Sequence, residues 1–464
     1  MSSLFWWLGC LLCILILVLI FVVRSRGVHW VDGSSGNYIT SERFYPTAVV
    51  HTILFLEKEL DPQAFREWWC NTFMTETAFN NRFFVRQWLW SYMEKEEPLD
   101  LDAHFIVHND PVTTEQVRAF AEKQINEPLD RAHVLWKLYV FPHVVQSDSC
   151  KSCFLLRYHH SILDGVNIMR LLLKYTGSPE ETEHSEKKKM KRVSPCQFTL
   201  NWLRSFVRIL FAPRDKRNPL NDAPRMSASS PRHIVYRTMD TSVTAIKRLK
   251  SAGFTVNDVL ISCLTSVFAS FATQRHAKPL ATPVHAFVWG STKPISFIYE
   301  PIRADEQVTG NKNLTLCILP VPMNVADPLE RLTTVRDSIH SIYRSAELVV
   351  INNLMNFLGS LEPRCVADPI YIDFTRCASL SLSTLPGPTT PLHIMDNRVS
   401  DIMFSVPPTV DLHVFCTLLS YDDRVTVTMT VDSALYSQEQ TEELLAMFNE
   451  ELAYVVKNAQ CRVC

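Results

Sequence analysis

Two adjacent histidines open the segment His159-His160-Ser161-Ile162-Leu163-Asp164-Gly165. An imidazole titrates near pH 6.5, so it can take a proton and return it near neutrality, which makes a histidine here a candidate general base. Asp164 can orient an imidazole, hold the turn, or cap a following helix. Side chains alternate along a strand, so neighbouring histidines face opposite ways and cannot easily share one metal or one substrate. One can be a base while the other is structural. Residue types alone favour a purely structural pair over a catalytic histidine.

The elements around the segment decide where it sits. Cys153–His160 reads as a strand and Val166–Tyr175 as a buried helix, so the histidines lie at a strand end and Asp164 at a helix start. Alternation places His159 on the face of Arg157, and His160 on the face of Phe154, Leu156 and Tyr158. Upstream, Val49–Leu56 and Val134–Phe141 read as strands, and Thr113–Ile125 as a helix with capping residues. Downstream, Asn257–Phe271, Asp327–Ala346 and Ser437–Val456 have helical spacing, and Arg424–Asp432 alternates as a strand. The chain therefore reads as α/β in two lobes, residues 37–176 and 231–464. Residues 177–230 form a charged linker with an amphipathic helix over Gln197–Phe211. That helix suits either a membrane surface or the protein's own core.

Composition narrows the function. With 47% hydrophobic and 20% charged residues the chain can bury a large core and is not mainly disordered. Lys+Arg of 46 against Asp+Glu of 48 gives a net charge of −2, which argues against a nucleic-acid-binding surface. The 13 cysteines are scattered, as in a reduced compartment, and pairing Cys150 and Cys153 with Cys461 and Cys464 in a zinc site lacks histidine support, so no metal is expected.

Residues 3–23 (SLFWWLGCLLCILILVLIFVV) carry no charge. At 1.5 Å per residue such a helix spans roughly 31 Å, enough to cross a hydrocarbon core. Arg24 and Arg26 follow the run, so the charge bias predicts a single-pass anchor within residues 1–30 and a cytosolic body, with the endoplasmic reticulum as the expected membrane.

The segment HHSILDG resembles the HHxxxDG motif of acyltransferases related to chloramphenicol acetyltransferase and to peptide-synthetase condensation domains. More closely, the chain resembles the wax ester synthase/diacylglycerol acyltransferase family. Pro128-Leu129-Asp130-Arg131 with Leu135-Trp136 is similar to its PLDR…PLW segment. Asn257-Asp258 opens a similar ND helix. Pro301-Ile302-Arg303, Gly310-Asn311 and Leu319-Pro320 resemble its second-lobe sheet, and Ser383-Thr384-Leu385-Pro386-Gly387-Pro388 its SNVPGP turn. Val134 replaces the proline of PLW, and Thr384 the asparagine of SNVPGP.

This resemblance implies a two-lobed chloramphenicol-acetyltransferase-like fold with a central tunnel. It implies an O-acyltransferase that uses acyl-CoA as co-substrate, no other cofactor, and a diacylglycerol or long-chain alcohol as acceptor. His160 would be the base, and His159 its structural neighbour. Asp164 would be structural, paired with an arginine, and Gly165 would permit the tight turn. Asn257 and Asp258 would shape the site, unless they only cap their helix, and Ser383 would offer a donor to the oxyanion. The products would be triacylglycerol or wax ester, made beside membrane lipid. Two other readings use the same residues: a lipid-binding or transfer protein without turnover, and an acyltransferase acting on a small alcohol.

Overall fold

A computed structural model describes residues 29–30, 32–41, 48–85, 91–177, 195–227, 230–276, 284–303, 306–360, 364–409 and 411–463. The apolar run 3–23 and the lysine cluster before residue 193 lie outside the described residues.

Strands Val49–Leu56 and Ser152–His159 are buried along their whole length, because helices cover both faces of their sheet. Leu54, Leu56, Phe154 and Leu156 pack with Phe65 and Trp69 on one side. Ile53, Phe55, Cys153 and Leu155 pack with Val117 and Ala121 on the other. Val117 and Ala121 belong to helix Thr114–Ile125, which opens with a capping box between Thr113 and Gln116.

The first sheet has six strands in the order His393–Ile394, Asn397–Ser405, Val49–Leu56, Ser152–His159, Trp136–Phe141 and Phe105–Val107. Its first two strands come from the second half of the chain. Asn397–Ser405 runs antiparallel to Val49–Leu56, with Ser405 opposite His51. The first lobe is therefore not one continuous segment, and a division at residue 231 separates strands that share hydrogen bonds.

The second sheet runs Leu314–Val321, Val284–Ser291, Leu380–Pro386, Val414–Tyr421, Arg424–Asp432 and Arg232–Thr238. Leu380–Pro386 lies parallel to both neighbours, which places Ser383 in the middle of the sheet. Helix Val256–His276 packs on this sheet through Val259, Leu264 and Phe268. Among the described residues its stretch Val256–Arg275 alone is long and apolar enough to cross a membrane, yet most of it is buried in this core.

Helix Pro195–Leu210 begins two residues before the expected Gln197. Trp202, Phe206 and Ile209 pack on the second lobe beside Val350 and Ile351. Leu200, Leu203, Val207 and Leu210 stay exposed on another face. The apolar side expected from sequence is thus divided, one part packed on the protein and the adjoining part exposed.

Candidate active site

The strand carrying the histidines ends at His159, which lies opposite Val49. His160 continues the path, donating its backbone N–H to the Ala48 carbonyl at 2.7 Å. Beyond this point the two rings part. His159 Nδ1 accepts the Ser161 backbone N–H at 3.1 Å and lies 2.7 Å from the Ser161 hydroxyl, so its ring is tied into the turn. His160 instead stacks on Tyr38, with ring centroids 4.4 Å apart and planes 7° from parallel. Nδ1 of His160 is buried without a hydrogen-bond partner among the described residues.

Burial is the main influence on His160. It pushes the imidazole down to about 4, His159 adds to the fall, and the ring's own backbone and Asn311 oppose it. The ring is consequently neutral at physiological pH, with a nitrogen lone pair available to a proton.

Asp164 is the N-cap of helix Gly165–Thr176 and accepts the Asn167 N–H at 2.7 Å. The expected ion pair with an arginine is absent among the described residues. Arg170, six residues along, pairs instead with Glu306 at 2.5 Å and lies over the Phe297 ring. Burial therefore dominates at Asp164 and raises it to about 7, with Asp32 adding to the rise and the Asn167 N–H and the Arg170 charge opposing it.

Gly165 also departs from expectation. Its backbone is not left-handed, so glycine is not needed for the turn. A Cβ there would lie 3.5 Å from Phe404 and 3.6 Å from Leu385, inside the cavity beside His160. Gly310 has the demanding backbone, with φ of 78° and no room for a Cβ against Asp32.

Residues 309–311 sew the second half of the chain to the histidine turn. Gly310 N–H and the Thr309 hydroxyl both donate to the Ile162 carbonyl, at 2.8 and 3.0 Å. The Asn311 amide donates to the His160 carbonyl at 2.7 Å and to the Ser35 hydroxyl at 2.9 Å. The Asn311 backbone N–H donates to Asp32 at 2.9 Å. Asn311 stood in the sequence only as part of a Gly-Asn pair, and Tyr38 and Asp32 carried no signal there.

Of the second-lobe candidates, Ser383 lines the same cavity as His160, together with Trp289, Tyr371 and Phe404. Asp258 accepts the Thr255 N–H at 2.7 Å and so caps its helix, and it also lines a cavity of about 740 Å³ beside Asn257. Asn257 lines two larger cavities, of about 330 and 740 Å³. These two share Asn257, Tyr343 and Thr384, and the smaller shares Trp289 and Leu385 with the His160 cavity. The three cavities therefore have walls in common, with Leu385 lining all of them. Among the described residues no group of three His, Cys, Asp or Glu side chains could hold a metal.

Residues 72–248 match the wax ester synthase/diacylglycerol acyltransferase catalytic domain, and residues 309–455 match the WS/DGAT C-terminal domain. The chain belongs to the wax ester synthase/diacylglycerol acyltransferase family. It is, by that membership, an acyltransferase enzyme. Among this family's curated members it is similar to wax ester synthase/diacylglycerol acyltransferase 5 of Arabidopsis thaliana, with 22% identity over 83% of this chain and 86% of the relative. O-acyltransferase WSD of Acinetobacter baylyi is also 22% identical, over 75% of this chain and 79% of the relative. The wax ester synthase/diacylglycerol acyltransferase structure from Marinobacter aquaeolei has the same two-lobed fold. It is 18% identical with a TM-score of 0.63, covering 93% of this chain and 100% of that one. A starter condensation domain of rhizomide synthetase, solved with C8-CoA, shares the fold at 9% identity and a TM-score of 0.61, over 95% and 96% of the two chains.

Proposed function

We propose that this enzyme moves a long-chain acyl group from acyl-CoA to a lipid hydroxyl, with His160 as general base. The observation that carries the reading is the buried His160 ring, its Nδ1 without a hydrogen-bond partner among the described residues, lining a largely apolar cavity that shares Trp289 and Leu385 with a larger one. The names of the family's members supply the two acceptor classes, a diacylglycerol and a long-chain alcohol.

The chemistry follows from the ring's state. A neutral imidazole nitrogen takes the proton of the acceptor hydroxyl as its oxygen attacks the thioester carbonyl. The tetrahedral intermediate collapses, the carbon–sulfur bond breaks, and the imidazolium returns its proton to the thiolate of CoA. Such proton transfer is worth roughly 10²–10⁴-fold. Ser383, in the same cavity, is the candidate donor to the oxyanion. His159 acts as scaffold, because Ser161 occupies its Nδ1.

The apolar run 3–23 and the two flanking arginines support a single-pass anchor with a cytosolic body, in the endoplasmic reticulum. The second apolar face of helix Pro195–Leu210 supports contact with the same bilayer. Each Leu or Val left in water forgoes roughly 1.5–3 kcal/mol of burial, and Leu200, Leu203, Val207 and Leu210 are all exposed. Arg204 and Arg208 flank that row.

The test is the full-length protein in membranes, given labelled long-chain acyl-CoA with a diacylglycerol, a fatty alcohol or a small alcohol. Labelled triacylglycerol or wax ester is the expected product. Esters of the small alcohol alone would replace the acceptor class, and binding without turnover would replace the enzyme with a lipid carrier.

A further inference from the structure

Helix Gly33–Ser41 precedes both segments matched to the family, yet it reaches the catalytic turn. Its placement is tightly specified. A Cβ on Gly33 would lie 2.0 Å from the Asn356 carbonyl oxygen, and one on Gly359 only 1.8 Å from the Gly33 carbonyl oxygen. The backbones of this helix and of helix Glu347–Ser360 therefore touch, which only glycines allow. Ser34 N–H donates to the Asn356 side chain at 3.3 Å. Asp32 receives Ser35 N–H and Asn311 N–H, both at 2.9 Å, and Ser35 receives the Asn311 amide. The helix is thus fixed to the same asparagine that holds the His160 carbonyl.

Tyr38 is what this helix delivers. Its ring covers one face of the His160 imidazole, nearly parallel and 4.4 Å away, and it lines the same cavity as Gly165, Phe404 and Ser383. Burial holds the phenol well above its ordinary pKa, with Tyr371 and Asp164 adding to the shift, so the ring is a neutral wall.

We infer that Tyr38 is a positioning residue, which fixes the His160 ring in one plane and closes one face against water, so that acyl groups pass to a lipid hydroxyl instead of to water. The inference rests on the His160 base reading above. The imidazole lone pair lies in the ring plane, so a hydroxyl must meet it edge-on, and the stack on Tyr38 fixes where that edge points. An acceptor hydroxyl entering along the cavity can meet that requirement. Without the tyrosine ring, the space it leaves beside His160 admits water and lets the imidazole turn, so that water can meet the lone pair edge-on. It would lose its proton to the imidazole, its oxygen would attack the thioester carbon, and free fatty acid and CoA would leave.

Full-length wild type, Tyr38→Phe, Tyr38→Ala and Tyr38→Leu in membranes test this with labelled long-chain acyl-CoA and a fatty alcohol, counting ester and free fatty acid separately. Tyr38→Phe keeps the flat ring and should stay within about twofold of wild type in kcat. Tyr38→Ala should lose about tenfold or more in kcat for ester, keep KM for acyl-CoA within about twofold, and raise the share of free fatty acid about fivefold. Tyr38→Leu keeps apolar bulk without a flat ring and should behave as the alanine variant; it carries the test if alanine impairs folding. An unchanged ratio of ester to fatty acid in both truncated variants overturns the inference. A second readout does not need turnover: carbethoxylation of the His160 peptide by diethyl pyrocarbonate, followed by mass spectrometry. It should be faster in Tyr38→Ala and Tyr38→Leu than in wild type, and equal rates overturn the shielding. If wild type makes no ester at all, the function proposed above fails, while the modification rates still decide whether Tyr38 shields His160.

Discussion

The side chain of Asn311 donates to the backbone carbonyl of His160 at 2.7 Å, across 151 positions of the chain. The contact lies between the lobes and next to the imidazole proposed as the base. It sets the height of the histidine turn against the second lobe.

Asn311→Ala should therefore lower kcat for ester formation by about ten- to a hundredfold, with KM for acyl-CoA nearly unchanged, because a displaced ring loses alignment before it loses substrate. It should also cost roughly 1–3 kcal/mol of stability, since the buried His160 carbonyl loses its donor. Steady-state kinetics beside a denaturant melt separates the two effects. Wild-type kcat in the alanine variant would show that the bond serves only the fold.

Asp164 should behave as a cap and not as half of an ion pair. Asp164→Asn keeps an oxygen for the Asn167 N–H and should be mild, whereas Asp164→Ala should cost about 1 kcal/mol. The pH dependence has a definite sign. The folded carboxyl titrates near 7, above its ordinary 3.8, so the native state holds the proton more tightly. The contribution of Asp164 to stability therefore falls as pH rises from about 4 to 7, and Asp164→Asn should remove that fall. Melts at pH 5 and pH 8 measure it, and a variant that is less stable than wild type at pH 8 would restore the ion-pair reading.

The two histidines should separate cleanly. His160→Ala should lower the transfer rate by about 10²–10⁴-fold while the protein still folds and stays on the membrane. His159→Ala should cost stability through the Ser161 turn and be milder in rate. His160 is depressed to about 4 from its ordinary 6.5, so the acid limb of kcat/KM should lie near 4. The same depression stabilises the fold above about pH 6.5, and this contribution is lost as pH falls from there through about 4. A limb that remains near 6.5 would mean the base is a solvated histidine elsewhere.

What could be read from sequence was local. The strand, the turn and the capped helix around residues 159–165 follow from alternation and from Asp164, whose effects act over a few residues. Ser383 could be placed in the His160 cavity only through a motif resemblance. Tyr38 and Asn311 were out of reach, because a ring stack across 122 positions and an amide bond across 151 leave no local pattern. Strand Asn397–Ser405 was missed for the same reason: nothing in its own residues says that its partner is Val49–Leu56. Helix Pro195–Leu210 is amphipathic as its sequence predicts, but how its apolar side divides between the protein's core and the surface depends on distant Val350 and Ile351 and could not be read locally.

The two glycines of the site should answer differently to the same methyl group. At Gly165 the backbone is ordinary and the nearest atoms, on Phe404 and Leu385, are at 3.5 and 3.6 Å, so Gly165→Ala should fold normally. The added methyl occupies the cavity beside His160, so it should act on substrate: KM for the acceptor should rise several-fold, by about 1 kcal/mol or less of lost binding, with little change in melting. At Gly310 the φ of 78° is strained for alanine and the Cβ would stand 2.4 Å from Asp32 Oδ2. Gly310→Ala must therefore move the Asp32 carboxylate or the 309–311 loop, and with it the Asn311 bond to the His160 carbonyl. Its expected signature is a stability loss of roughly 1–3 kcal/mol together with a fall in kcat. Acceptor titrations and thermal melts on both variants check the contrast, and a Gly165→Ala protein that melts as early as Gly310→Ala would show that the first glycine is needed by the turn after all.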